Sequence, residues 1–86
     1  MNPRMQLVRD VAEFCHQRGF RLPVKALAGI LNAAGHRTCY GTPYKGKRGT
    51  FRLVRMTYRT LNRLGQTGQA SAVAATFTKP NGAYAY

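Results

Sequence analysis

The chain has 86 residues, 44% of them hydrophobic, with 14 Lys+Arg against 2 Asp+Glu and a net charge of +12. One small-cored domain over residues 1–86 is all this length supports, with a stability on the order of 5 kcal/mol. The hydrophobic share excludes wholesale disorder, and the positive charge excludes a mimic of nucleic acid and points to acidic targets.

Asn2 followed by Pro3 is an N-cap with proline at the first helical position. Leu7, Val8, Val11, Phe14 and Cys15 then recur at helical spacing, and Gly19 is a stop, so a first helix is predicted over about 3–18. Pro23 opens a second helix with Val24, Leu27, Ile30, Leu31 and Ala34 inward and Gly35 ending it. No strand is evident between the two. The short connection packs them as a hairpin or at a steep angle.

Residues 36–49 lack helical periodicity and hold Gly41, Gly46, Gly49 and Pro43, which predicts a loop with room for an extended piece around Thr38–Tyr40. The loop carries Arg37, Lys45, Lys47 and Arg48 and no acid. Such a basic, glycine-punctuated loop suits close approach to phosphates. Thr50 then caps a third helix over about 50–64, closed by Gly65. Phe51, Val54, Thr57, Tyr58, Leu61 and Leu64 share one side of it. Arg52, Arg55, Arg59 and Arg63 fall within about 80° of one another on the other.

Thr67 caps a short alanine-rich fourth helix over about 68–76, with Ala70, Val73 and Ala74 packing. Pro80-Asn81-Gly82, between two β-favouring runs, predicts a C-terminal hairpin that carries Lys79. The fold class is therefore mainly α, with about four helices and a small C-terminal β-hairpin.

The arginine stripe carries the functional reading. A solvated helix face normally mixes signs, because like charges four residues apart cost a few tenths of a kcal/mol each. Between Lys25 and Lys79 there is no acid at all. A polyanion supplies the missing charge, and nucleic acid is the expected partner. Duplex DNA is favoured because helices dominate, whereas RNA-binding sheets display aromatics on strands. Thr50, Arg52 and Arg55 would face base edges, with Arg48, Arg59 and Arg63 on phosphates. Tyr40, Tyr44, Tyr84 and Tyr86 either pad the core or stack on unpaired bases.

Other chemistries find little support. Asp10 and Glu13 are the only side-chain carboxylates, so most hydrolytic mechanisms and any triad lack an acid partner, and no enzyme is expected. Among Cys15, His16, His36 and Cys39, the adjacent pair Cys15-His16 diverges by about 100° on a helix and does not converge on one ion. No metal and no cofactor are expected. Gly46-Lys47 lacks the spacing of a phosphate-binding loop. No apolar run reaches the roughly 18–20 residues of a membrane span, and the N-terminus has no signal-like stretch. With two cysteines only, reduced thiols and a cytoplasmic setting follow.

The stretch from Leu27 to Tyr44 resembles a segment of the recombinase domain of large serine recombinases. That family often shows Ala-x-x-Leu-Asn-x-x-Gly, a threonine, Gly-x-Pro-aromatic and then an arginine-rich helix. The matching residues are Ala28, Leu31, Asn32, Gly35, Thr38, Gly41, Pro43 and Tyr44. The resemblance implies a helix-turn-helix-like DNA-contacting unit. The chain departs from it by inserting Lys45–Gly49 before the helix. The family's catalytic domain has no counterpart here, so binding without strand cleavage is implied. Helices followed by a C-terminal hairpin also resemble the winged-helix form of small phage and plasmid regulators.

The combined expectation is a sequence-specific duplex-DNA-binding transcriptional regulator with 50–64 as recognition helix. Its DNA-binding residues would be Arg37, Lys45, Lys47, Arg48, Thr50, Arg52, Arg55, Arg59, Arg63 and Lys79. A homodimer on a palindrome fits such a reader. The alternatives are an RNA-binding module and a basic adaptor or inhibitor of an acidic host protein.

Overall fold

A computed structural model describes residues 1–45 and 49–78. Its elements in chain order are helix α1 (Pro3–Gln17), strand β1 (Leu22–Pro23), helices α2 (Val24–Ala33), α3 (Thr50–Arg63) and α4 (Thr67–Thr76), and strand β2 (Phe77–Thr78). The protein is mainly helical, as the periodicity predicts. The Asn2 side chain accepts the Met5 N–H at 2.9 Å, satisfying one of the donors that a helix start leaves free. Pro3 follows in the first turn.

The core forms where three helices meet. α4 packs against both α1 and α3, and less of the contact involves α2. Its composition explains this placement. Ala70, Ala72, Val73 and Thr76 are buried within one arc of about 160°, wide enough to meet both neighbours, and Thr67, Gly68 and Ser71 are exposed on the remaining side. Thr76 Oγ1 donates to the Ala12 carbonyl at 3.1 Å, tying α4 to the middle of α1. Val8, Leu27, Leu31, Val54, Leu61 and Phe77 are fully enclosed around this junction.

Several local expectations are corrected. α3 is capped by Gly49 at φ 77°, with Thr50 inside the helix. A Cβ on Gly49 would lie 3.1 Å from the Thr38 methyl and 3.4 Å from the Tyr44 ring, so the left-handed turn and the tight approach both select glycine. Thr67 likewise begins α4 rather than capping it, and Pro23 precedes α2 in extended geometry. Three residues expected inside face solvent: Phe14 (52% exposed), Ile30 (36%) and Leu64 (55%). Ala34, also expected inward, is exposed. Phe14 instead pairs edge-on with Phe20 and lies under the Arg18 guanidinium, 3.6 Å from the ring centroid.

The largest topological difference lies at the two short strands. β1 separates α1 from α2 and pairs in parallel with β2, Leu22 alongside Phe77. The first arm of the expected hairpin thus runs back to the α1–α2 junction. The hairpin turn, Pro80-Asn81-Gly82, lies outside the described residues. The piece around Thr38–Tyr40 is a turn rather than a strand, closed by Gly41 N–H to the Thr38 carbonyl at 2.9 Å.

Candidate nucleic-acid interface

α3 builds the interface from its own periodicity. Thr50, Leu53, Val54, Thr57 and Leu61 are buried on one side. Arg52, Arg55, Arg59 and Arg63 are all exposed on the other. None of the four makes a hydrogen bond or ion pair with another described residue. The one ion pair among the described residues joins Arg9 to Asp10 at 3.0 Å on α1. The stripe is therefore a continuous cationic face with no internal counter-charge.

Other members of the expected set are placed differently. Thr50 is fully buried, and its Oγ1 donates to the Lys45 carbonyl at 2.6 Å, so it closes the loop onto the helix and is out of reach of any base edge. Arg37 is exposed, but its Nη1 donates to the carbonyls of Asn32 (3.2 Å) and His36 (2.7 Å). That guanidinium serves the carbonyl-rich end of α2, where a cation is favourable. Lys45 is exposed at the rim of the loop beside α3. Lys47, Arg48 and Lys79 lie outside the described residues.

The loop joining α2 to α3 is held by an amide that sequence reading left without a role. Asn32 Nδ2 donates to the Tyr44 carbonyl at 2.9 Å, and its Oδ1 accepts the Tyr44 N–H at 2.8 Å. Arg4 Nη1 adds contacts from α1 to the Arg37 carbonyl (3.1 Å) and the Tyr44 hydroxyl (3.3 Å). Tyr44 itself is buried. Asn32→Ala would leave a partly buried backbone donor and acceptor without partners. It is expected to lower unfolding free energy by about 2 kcal/mol, read from the urea midpoint.

Beside the stripe lies a cleft of about 630 Å³, between the start of α1, the loop and the first two turns of α3. Arg4, Tyr40, Lys45, Arg52 and Met56 are among its walls. Arg4 and Met56 escaped sequence reading because their neighbours are remote in the chain. The Arg4–Tyr44 contact, for example, spans 40 positions.

Cys15 is buried and Cys39 exposed, and both are free thiols. Burial pushes the Cys15 thiol pKa up, opposed by the nearby Arg18 charge. No group of three or more His, Cys, Asp or Glu residues is placed to hold a metal among the described residues. No described helix is long and apolar enough to cross a membrane. No protein-family model, curated protein or solved structure matches the chain.

Proposed function

We propose that this protein binds duplex DNA through the arginine face of α3 and acts as a small transcriptional regulator. The observation that carries the proposal is the set of four exposed guanidiniums on one helix face with no partner among the described residues. Self-repulsion along that face is relieved when phosphates approach it. Arg52 and Arg55, nearer the helix N-terminus, are assigned to base edges, and Arg59 and Arg63 to the backbone.

The form of the reader differs from a standard helix-turn-helix, in which a turn of three to four residues joins the two helices. Residues 34–49 separate α2 from α3. A three-residue connection occurs instead between α3 and α4, but the exposed face of α4, with Thr67, Gly68 and Ser71, carries no cation to meet a phosphate. The reading is thus of an α3 presented by α1 and α4 and flanked by the loop after α2. A wing at Pro80-Asn81-Gly82, a homodimer and a cytoplasmic setting belong to the same proposal.

Selection of bound duplexes from a random pool at about 150 mM salt tests it. The expected result is an enriched site, with a log–log salt slope of roughly −4.5 to −7 if about five to eight phosphates are neutralised. Arg52→Ala should erase much of the site's advantage, at about 1–3 kcal/mol for a cognate base. An advantage unchanged in Arg52→Ala would remove α3 from base reading, and stronger binding to structured RNA than to any duplex would overturn the DNA assignment.

A further inference from the structure

The cleft has a chemistry of its own. Tyr40 is 85% exposed and Met56 43% exposed, two apolar surfaces that the fold leaves open to water. Arg4, Lys45 and Arg52 place three cations around them, and no carboxylate lines the cleft among the described residues. Its volume of about 630 Å³ falls in the range of roughly 300–1,000 Å³ common for clefts that hold small molecules. Apolar walls whose charged neighbours among the described residues are all cations match an aromatic anion.

The turn that carries Tyr40 is closed by its own hydrogen bonds. The Thr38 N–H donates to the Thr42 carbonyl at 2.9 Å, the two threonine hydroxyls share a hydrogen bond of 2.7 Å, and Gly41 N–H closes on the Thr38 carbonyl at 2.9 Å. Gly41 adopts the left-handed conformation this turn needs, at φ 78°. A turn closed in this way presents Tyr40 with little backbone left to order when a base stacks on its ring. Arg52 belongs at once to the cleft wall and to the α3 stripe, so a strand lying on α3 passes the cleft mouth.

We propose that this cleft receives one unpaired nucleotide of the nucleic acid bound by α3, with its base stacked on Tyr40 and its phosphate met by Lys45. The proposal rests on the duplex-binding reading and adds a preference for duplexes carrying a bulged or unpaired base. Such a base is the least costly to extrude, because it has no pairing to lose.

The test compares a fully paired duplex with the same duplex carrying one bulged 2-aminopurine, by anisotropy and by 2-aminopurine emission. The expected result is tighter binding of the bulged duplex, by roughly five- to a hundredfold as one base–aromatic stack provides, with a change in emission on binding. In Tyr40→Ala the ratio of the two affinities should fall to about one, and Tyr40→Phe should restore it. Circular dichroism checks that each variant folds. Equal affinity for both duplexes in the parent protein overturns the cleft assignment and leaves the duplex reading standing. A bulge preference that persists in Tyr40→Ala also overturns it, because DNA flexibility then explains the preference. Binding of neither duplex overturns both readings. Saturable micromolar binding of AMP alone would assign the cleft to a free nucleotide and overturn the proposal.

Discussion

Replacing Arg52, Arg55, Arg59 and Arg63 together by alanine is expected to lower duplex affinity by at least roughly a thousandfold at about 0.1 M salt. Each cation that neutralises a phosphate releases about 0.9 of a counterion, so each contact is worth a factor of about eight at that salt concentration. Arg59 and Arg63 on the backbone multiply to about sixtyfold, Arg52 and Arg55 on base edges add about 1–3 kcal/mol each, which carries the product beyond a thousand, and the log–log salt slope should become shallower by about 1.8. The same variant should be no less stable than the parent. Its four guanidiniums are exposed and make no bond to other described residues. Alanine is the best helix former, and the change removes like-charge pairs at Arg55/Arg59 and Arg59/Arg63 spacing. Lost affinity with an equal or higher melting temperature identifies a face maintained for binding. Affinity within threefold of the parent would show that the stripe is only a solvated surface.

Patterns that repeat within one element were legible in the sequence, and contacts between elements were not. The Asn2-Pro3 start of α1 and the division of α3 into an apolar and a cationic side depend on spacing within a few residues. The buried face of α1 was half read. Cys15 and Val8 are enclosed and Leu7 and Val11 pack half-buried against the core, but Phe14 is exposed and Met5 and Ala12 are enclosed in addition. Phe14 has helical spacing suited to the core, yet it is exposed, while Ala12 is enclosed and its carbonyl accepts from Thr76 of α4. That contact depends on a residue 64 positions away and leaves no mark on the periodicity of α1.

The same distinction applies at the candidate site. The arginines of α3 announce themselves by sign and period. The double hydrogen bond from Asn32 to Tyr44 does not, because an asparagine near a helix end is equally suited to solvent. Thr50 shows the opposite failure. A threonine after glycine at a helix start reads as a cap, but the positive φ of Gly49 already turns the chain, and the hydroxyl is drawn onto the Lys45 carbonyl instead. The pairing of Leu22 with Phe77 was hidden for a topological reason. Parallel strands of two residues each leave no alternation to detect, and their partners lie 55 positions apart, the difference between 77 and 22.

Phe77→Ala is the substitution that should act most strongly on stability, with a cost of about 3–5 kcal/mol. Phe77 is fully buried and is the bulkiest of the enclosed side chains. It follows α4 directly, pairs with Leu22 of β1, and belongs to the buried core cluster, so it ties the end of α4 to the α1–α2 connection. A loss of this size is comparable with the whole stability of a chain this small, on the order of 5 kcal/mol. The variant should have a large unfolded fraction at 25 °C, seen as reduced helical circular dichroism and a urea midpoint near zero. Phe77→Leu, which keeps much of the volume, should cost less than about 1.5 kcal/mol. Had Phe77 lain in an exposed ribbon, both substitutions would cost well under 1 kcal/mol, as surface changes do. Ligand linkage joins this result to the binding face. A duplex at about a hundred times its Kd contributes about 2.7 kcal/mol to the folded state. Adding DNA should therefore restore helicity to Phe77→Ala progressively and saturably as duplex concentration rises. It should fail to do so when the four α3 arginines are also replaced. Helicity regained without those arginines would mean that DNA is held by some other surface.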